Sequence, residues 1–182
     1  MTLTVIIPPD GEALSLKAAK DYLRIGTDAE DALVTALIAS AWARLEAASG
    51  LALVTRTLEQ AWEEWPRGMT RGGAWLGAGP VSALLSVSVV DAEATAELMT
   101  GRFRVRCGRL ELRPWNALPL VLEGGRIEAV FDAGYGAAAD VPEDLVLALK
   151  LLVLEAYRRG TAGSDLPEGV NAIVSARRRV KL

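Results

Sequence analysis

The stretch from Asp140 to Arg159, DVPEDLVLALKLLVLEAYRR, constrains the fold most, because both ends of a long apolar helix are marked in it. Asp140 and Pro142 are typical of a helix start. Proline lacks a backbone amide hydrogen, and it is tolerated in the first turn because amide hydrogens there have no partner within the helix. Acidic residues follow at the beginning and two arginines stand at the end, which suits the helix dipole. We therefore predict a core helix within residues 140–160.

This helix is apolar nearly all round. Only Lys150 and Glu155 interrupt the run from Leu145 to Tyr157. A surface helix carries a single apolar stripe, so we expect this helix to be covered both by its own domain and by another copy or a partner. A membrane span would need roughly 20 apolar residues, and this run is shorter and carries two charges. We expect no membrane contact.

Length and composition narrow the classes of function. A chain of 182 residues predicts one domain, with room for an insertion. The single cysteine, Cys107, excludes an internal disulfide. The absence of histidine excludes zinc sites of the His/Cys type and histidine proton shuttles.

Charge is unevenly distributed along the chain. The net charge is -3, but Arg177, Arg178, Arg179 and Lys181 hold four of the 20 positive charges, so residues 1–176 carry 16 positive against 23 negative charges, a net of -7. An acidic body disfavours a phosphate-binding surface, because sequence-independent affinity for nucleic acid rests on lysine and arginine. No secretion signal is recognisable at the N-terminus, so we expect synthesis in the cytoplasm.

Hydrophobic spacing predicts helices in residues 14–50. Residues 1–14 are expected to be an extended lead-in, and Ser15 is expected to cap a short first helix. Asp28 and Asp31 indicate a variant of the capping box for a second helix over 29–49. Gly50 suits the left-handed turn after that helix.

Residues 51–135 predict strands. Val54, Arg56, Leu58, Gln60 and Trp62 alternate with polar residues, and further short strands follow in VSALLSVSVVD, in FRVR with RLELRP around Cys107-Gly108, and in RIEAVFDAG. The glycine-rich residues 66–79 are expected to form a mobile loop. Residues 166–182 predict a short final helix near Pro167 that leads into the basic tail.

These elements predict one α+β domain. We expect an α-helical bundle of about four helices, with a small antiparallel β-sheet or sandwich inserted between them.

No pattern for chemistry is complete. The glycines of Gly77-Ala78-Gly79 and Gly134-Tyr135-Gly136 lack the context of phosphate-binding loops, and turns explain them. The carboxylate groups Glu63-Glu64, Asp91-Glu93 and Glu143-Asp144 are explained by a wet strand face, a turn and a helix start. We predict no catalytic residues, no metal, no cofactor and no enzymatic activity.

The basic tail from Arg177 to Lys181 leaves three interpretations open. It could be a solvated terminus, a segment that docks on an acidic protein surface, or a contact to nucleic-acid phosphates. Because the acidic body repels phosphate, protein docking is favoured.

The order of these signals resembles a known family. The opening SLKAAKDYLRI, the junction AGYGAAADVPEDL and the closing LPEGV are similar to the head–tail connector (adaptor) family of long-tailed phages, prophages and gene transfer agents, over residues from about Leu14 to Arg179.

The resemblance implies a structural protein of the particle at the head–tail junction. Members of the family form a ring of about twelve copies beneath the portal, extend the channel through which duplex DNA passes without specific binding, and join the capsid to the next neck or tail (stopper) protein. The C-terminal segment would dock on the portal, through Val170, Ile173, Val174, Arg177, Arg178, Arg179, Val180, Lys181 and Leu182. Long apolar helices would pack between subunits, with interface candidates Leu37, Trp42, Arg44, Leu149, Leu152 and Tyr157. For Trp42, a place at the edge of the core is the simpler interpretation.

Two other classes of function compete with this one. The first is a small DNA-binding module of a packaging or regulatory system that uses the basic tail. The second is a hydrolase that uses the carboxylates, for which no complete catalytic set can be written.

Overall fold

A computed structural model describes residues 1–93, 96–160 and 165–177. The chain forms two compact units. The β unit comprises residues 1–10 and 55–134, and the helical unit comprises residues 11–54 and 135–182. The predicted α+β class is confirmed.

In chain order the elements are β1 (Thr2–Ile7), α1 (Leu16–Leu23), α2 (Asp31–Ser49), β2 (Arg56–Trp62), α3 (Met69–Gly72), β3 (Ala74–Trp75), β4 (Val81–Val90), β5 (Ala96–Leu98), β6 (Phe103–Arg106), β7 (Arg109–Leu112), β8 (Arg126–Ala133), α4 (Glu143–Arg159) and α5 (Glu168–Arg177). Among the described residues, every helix is too short or too polar to cross a membrane.

Helix α4 supplies the largest share of the helical unit's core. Its buried side chains recur at helical spacing and contact α1, α2 and α5; they are Leu145, Ala148, Leu149, Leu152, Val153 and Ala156. Helix α2 presents a matching stripe of Val34, Ile38, Ala41 and Leu45. Each fully buried leucine contributes about 1.5–3 kcal/mol to folding. This apolar contact therefore holds the unit together.

The predicted helix ends are only partly correct. The Ser15 hydroxyl accepts a hydrogen bond from the Ala18 amide at 3.2 Å, so the cap of α1 is confirmed. Gly50 follows α2 with φ of 68°, as its left-handed turn requires.

The expected capping box of α2 is wrong. The helix starts at Asp31, and Glu30 precedes it without a side-chain cap. The carboxylates of Asp28 and Asp31 instead accept hydrogen bonds from Lys20 Nζ at 2.7 and 2.5 Å. Hydrogen bonding to Lys20 lowers the pKa of Asp28, and the same bonds raise the pKa of Lys20. The two acids thus connect α1 to α2, because a lysine of the preceding helix lies within reach.

The β unit is built on a five-stranded antiparallel sheet with strand order β1-β2-β8-β4-β5. The central strand β8 buries Ile127, Ala129, Phe131 and Ala133 on one face. The predicted alternation in β2 is confirmed, since the side chains of Leu58, Gln60 and Trp62 are buried in turn.

The first half of the expected extended lead-in over residues 1–14 is a strand of the sheet, which was not predicted from the sequence. Residues Thr2 to Ile7 form β1 and pair with β2, from Thr2 opposite Ala61 to Ile7 opposite Thr57. The sequence TLTVII is rich in β-branched side chains, which suit a strand. The strand could not be predicted locally, because its partner β2 lies 50 or more residues further along the chain.

The expected mobile loop over 66–79 is also wrong. The segment contains α3 and β3, and β3 joins β7 and β6 in a second antiparallel sheet with order β3-β7-β6. The side chains of Met69, Ala74 and Leu76 are buried. The side-chain amide of Gln60 in β2 binds this segment through both of its polar atoms. Oε1 accepts a hydrogen bond from the Gly77 amide at 2.6 Å, and Nε2 donates to the Trp75 carbonyl at 3.3 Å.

Gly73 is required where α3 meets β3. Its φ of 77° lies in the left-handed region, and a Cβ there would overlap the Leu110 carbonyl oxygen and come within 2.9 Å of Glu111 Cγ. The neighbouring Gly72 has no such restriction, since its nearest atom would be the flexible end of Arg109 at 3.4 Å.

We expect Gly73→Ala to lower the free energy of unfolding by at least about 2 kcal/mol, because the methyl group adds both backbone strain and overlap. Gly72→Ala is the matched control and should change it by no more than about 0.5 kcal/mol. Urea unfolding followed by tryptophan fluorescence measures both. Equal effects of the two substitutions would contradict the close approach of β3 to β7.

Candidate assembly surfaces

Helix α5 packs on its own unit through a single face. Val170, Ile173, Val174 and Arg177 lie at positions i, i+3, i+4 and i+7, so they share one side of the helix. Val170 and Val174 are buried in the core, and Ile173 packs against it half-buried. The opposite side carries small or polar exposed residues, namely Asn171, Ala172, Ser175 and Ala176.

An ion pair fixes the C-terminal end of α5 to the first turn of α4. Arg177 Nε donates to Asp144 Oδ2 at 2.5 Å, and Nη2 donates to Oδ1 at 2.8 Å, which is the two-bond arrangement that a guanidinium favours. Hydrogen bonding to Arg177 lowers the pKa of Asp144, and the same bonds raise the pKa of Arg177. The neighbouring Tyr135 hydroxyl also raises the pKa of Arg177.

The structure therefore assigns the four described residues of the predicted docking segment to internal contacts. Three of them fill or border the core, and Arg177 is paired with Asp144. Val170 and Val174 would reach a partner only if α5 left α4, whereas Ile173 is half-buried and the Arg177 side chain is 33% exposed. The remaining docking candidates, Arg178, Arg179, Val180, Lys181 and Leu182, lie outside the described residues.

The predicted subunit-interface residues divide into two groups. Leu149 and Leu152 have no exposed surface, so their side chains are occupied inside the helical unit and offer nothing to a neighbouring copy. They are buried because they lie on the face of α4 that meets α2. We expect a second side of α4 to be covered by another copy or a partner. The side available for this is its outer face, where Leu147 is 44% exposed.

The second group lies at the surface. Leu37 and Trp42 pack half-buried against the core, as the simpler interpretation of Trp42 expected. Arg44 donates to the Asp165 carbonyl at 3.0 Å. The Tyr157 hydroxyl donates to Glu30 Oε2 at 2.7 Å, and this bond raises its pKa. These four residues remain candidates for contacts between copies.

Sequence reasoning missed a basic surface on the second sheet. Residues 102–113 contain one acid, Glu111, and five arginines: Arg102, Arg104, Arg106, Arg109 and Arg113. The register places Arg104 opposite Glu111 and Arg106 opposite Arg109, so these four side chains share a face. The Arg104 and Glu111 side chains pair at 3.0 Å, and the Arg109 guanidinium lies 4.3 Å from the centre of the Trp75 ring. The alternation of arginine in RFRVR was the signal for this face.

The described residues contain no cluster suited to a metal. Across 1–93, 96–160 and 165–177, no three His, Cys, Asp or Glu side chains come together in a way that could hold an ion. The carboxylates considered from the sequence are spread over both units, with Glu143 and Asp144 at the start of α4 and Asp91 and Glu93 after β4.

No protein-family model matches this sequence, and no curated protein matches it.

Solved structures do match, over the whole chain. A chain of the virion of a native gene transfer agent (GTA) particle is similar with a TM-score of 0.83 and 29% sequence identity, covering 100% of this chain and 97% of that one. A chain in the neck of an empty GTA particle, computed with C6 symmetry, gives 0.82 and 29%. A chain in the neck of a native GTA particle, computed with C12 symmetry, gives 0.81 and 27%. The chain thus shares its complete fold with a chain of these necks.

Proposed function

We propose that this chain is a structural head–tail connector of a phage-like particle, an adaptor that forms a ring under the portal. One observation carries the proposal: the similarity to chains of GTA virions and necks spans 100% of this chain and 97% of the other, at 29% sequence identity. The chain would act as a component of the neck and not as an enzyme.

The ring would contain about twelve copies. The C12 and C6 symmetries of the similar necks support an arrangement of this kind. Contacts between helical units would use the half-exposed Leu37, Trp42, Arg44 and Tyr157, with Leu147 on the outer face of α4. Leu149 and Leu152 would contribute indirectly, because they hold α4 in place.

Two segments of the C-terminus would have different roles in docking on the portal. Helix α5 is the anchor, because its apolar face is buried and Arg177 is paired with Asp144. Residues 178–182, which carry Arg178, Arg179 and Lys181, would then make the contact with the portal. Positive charge at the edge of an interface chiefly speeds and orients association.

The ring would continue the channel for DNA and present its other side to a stopper protein. Duplex DNA would pass without specific binding, since the chain carries 23 acidic against 20 basic side chains. The basic face around Arg106 would have to be turned away from the channel, or covered, for passage to be free.

A chain that ends at Arg177 tests the docking. We expect it to fold with α5 in place, because it keeps Val170, Val174 and the Asp144 pair, but to bind the portal at least about tenfold more weakly, a loss of about 1.4 kcal/mol. Co-sedimentation of the truncated and full-length chains with the portal protein of the same particle measures the difference.

Two double substitutions of arginine separate the charge of the tail from charge elsewhere on the chain. Arg178→Ala with Arg179→Ala should reproduce most of the loss, whereas Arg158→Ala with Arg159→Ala, at the exposed end of α4, should not. Equal portal binding by the full-length chain and the chain ending at Arg177 would contradict tail docking. The DNA-binding alternative instead requires salt-sensitive binding to duplex DNA that disappears with the tail.

The Asp144 pair also predicts how the anchor depends on pH. Because the pKa of Asp144 is lowered in the folded chain, the pair stabilises α5 above the ordinary carboxyl pKa of 3.8, and this contribution is lost as the pH falls through the lower, folded value. Asp144 is 41% exposed, so solvent screening limits the effect to about 1 kcal/mol or less.

Hydrogen exchange measures this effect at the amides of α5. We expect Asp144→Asn to speed their exchange at pH 7 by up to about fivefold. The difference from the parent, measured as protection relative to intrinsic exchange, should decrease as the pH falls below 3.8 and through the lowered pKa of Asp144. Glu143→Gln, the neighbouring acid in the same turn, is the control and should leave α5 unchanged. Unaltered protection in Asp144→Asn would show that the pair does not hold the helix.

A further inference from the structure

The five-stranded sheet has two open edges. Among the described residues, β1 pairs only with β2, and β5 pairs only with β4. Every strand edge presents a row of backbone amide and carbonyl groups that another strand can pair with. Both edges of this sheet are therefore available to a further chain.

The β1 edge carries few of the features that keep such edges from pairing, although its register with β2 shifts between Val5 and Ile7. Its sequence TLTVII contains no charge and no proline, and Pro8 follows only after the strand ends. All six residues are exposed, including Val5 at 49% and Ile7 at 57%. Soluble proteins usually protect an edge strand with lysine, proline or a cover of other residues. An uncharged, aliphatic edge of this kind is suited to being covered in an assembly.

The opposite edge combines exposed aliphatic side chains with one charged residue, Glu97. Leu98 of β5 is 71% exposed, and β5 is short, so it covers β4 only from Ser88 to Val90. Further along β4, Leu85 is 48% exposed. Both edges thus carry exposed aliphatic side chains, although Met99 and Thr100 already bond the backbone groups of Val87 in β4.

These features indicate what would cover β1. Unpaired backbone groups in an extended row are best satisfied by another strand, and the absence of lysine and arginine from β1 disfavours nucleic acid. A copy of the same chain provides the other edge of the same sheet at β5. Pairing of two β1 strands would give a closed dimer with two-fold symmetry, whereas pairing of different edges repeats from copy to copy and can close into a ring.

We propose that β1 of one copy pairs with the β5 edge of the next copy, so that the five-stranded sheets join head to tail around the ring. This inference rests on the proposed ring of copies. It adds a backbone-paired interface in the β unit to the helical contacts considered above.

Cross-linking in assembled particles tests the pairing. Val5→Cys and Leu98→Cys are combined in a Cys107→Ser background and placed in the chromosome of the bacterium that encodes the chain. Paired strands bring opposite Cα atoms to about 4.5–5.5 Å, within the range of a disulfide or a short bis-maleimide. We expect purified particles treated in this way to give a ladder of cross-linked multimers, and each single-cysteine variant to give monomer.

Two results would overturn the pairing while leaving the neck role intact. The first is monomer only from the double variant, with the chain present in the particles by immunoblot. The second is a dimer from Val5→Cys alone, which would show pairing of two β1 strands. Particles of the parent strain that lack the unsubstituted chain altogether would overturn the proposed function as well, so the two failures are distinguishable.

A charged side chain on the β1 edge gives a second test, which does not depend on which residues of β1 and β5 lie opposite each other. Ile7→Lys should reduce incorporation of the chain into particles at least about tenfold, because an edge lysine opposes strand pairing. The isolated variant should keep the parent's circular dichroism spectrum, since Ile7 is exposed. Trp115→Lys, at a fully exposed loop position, is the control and should incorporate normally. Normal incorporation of a folded Ile7→Lys chain would contradict the proposal.

Discussion

The packing of α4 against α2 is the contact on which the helical unit depends. The buried side chains of α4, from Leu145 to Ala156, meet the stripe of α2 that includes Val34 and Leu45. Helix α5 then rests on the surface that this pair creates, through Val170 and Val174. The position of the last described residue, Arg177, therefore depends on the packing of α4 against α2.

The elements with local signals could be predicted from the sequence. Pro142 and the flanking charges indicated α4, Ser15 indicated the start of α1, and the alternation around Leu58 indicated β2. These signals act within a few residues, so they are visible without knowledge of the fold.

The elements that depend on distant partners could not be predicted. Strand β1 exists because β2 pairs with it, and β3 exists because β7 and Gln60 hold it. Asp28 and Asp31 had the spacing of a cap, but Lys20 was within reach and bound both carboxylates. In each case a tertiary contact overrode a local pattern.

The same distinction applies to the candidate surfaces. The apolar character of α4 and α5 was evident in the sequence, but which copy of the chain would cover it was not. Leu149, Leu152, Val170 and Val174 turned out to be covered within the same unit. Within the described residues, the surfaces that remain for assembly are the outer face of α4, the half-exposed side chains of Leu37, Trp42, Arg44 and Tyr157, and the open edges of the five-stranded sheet.

The central claim is that this chain works by contact with copies of itself and with other neck components. A cryo-EM reconstruction of the neck of particles from the bacterium that encodes it tests the claim most directly. The account predicts a ring between capsid and tail into which this fold fits, copy by copy, with α5 seated on α4. A neck in which no density accommodates the fold would contradict it.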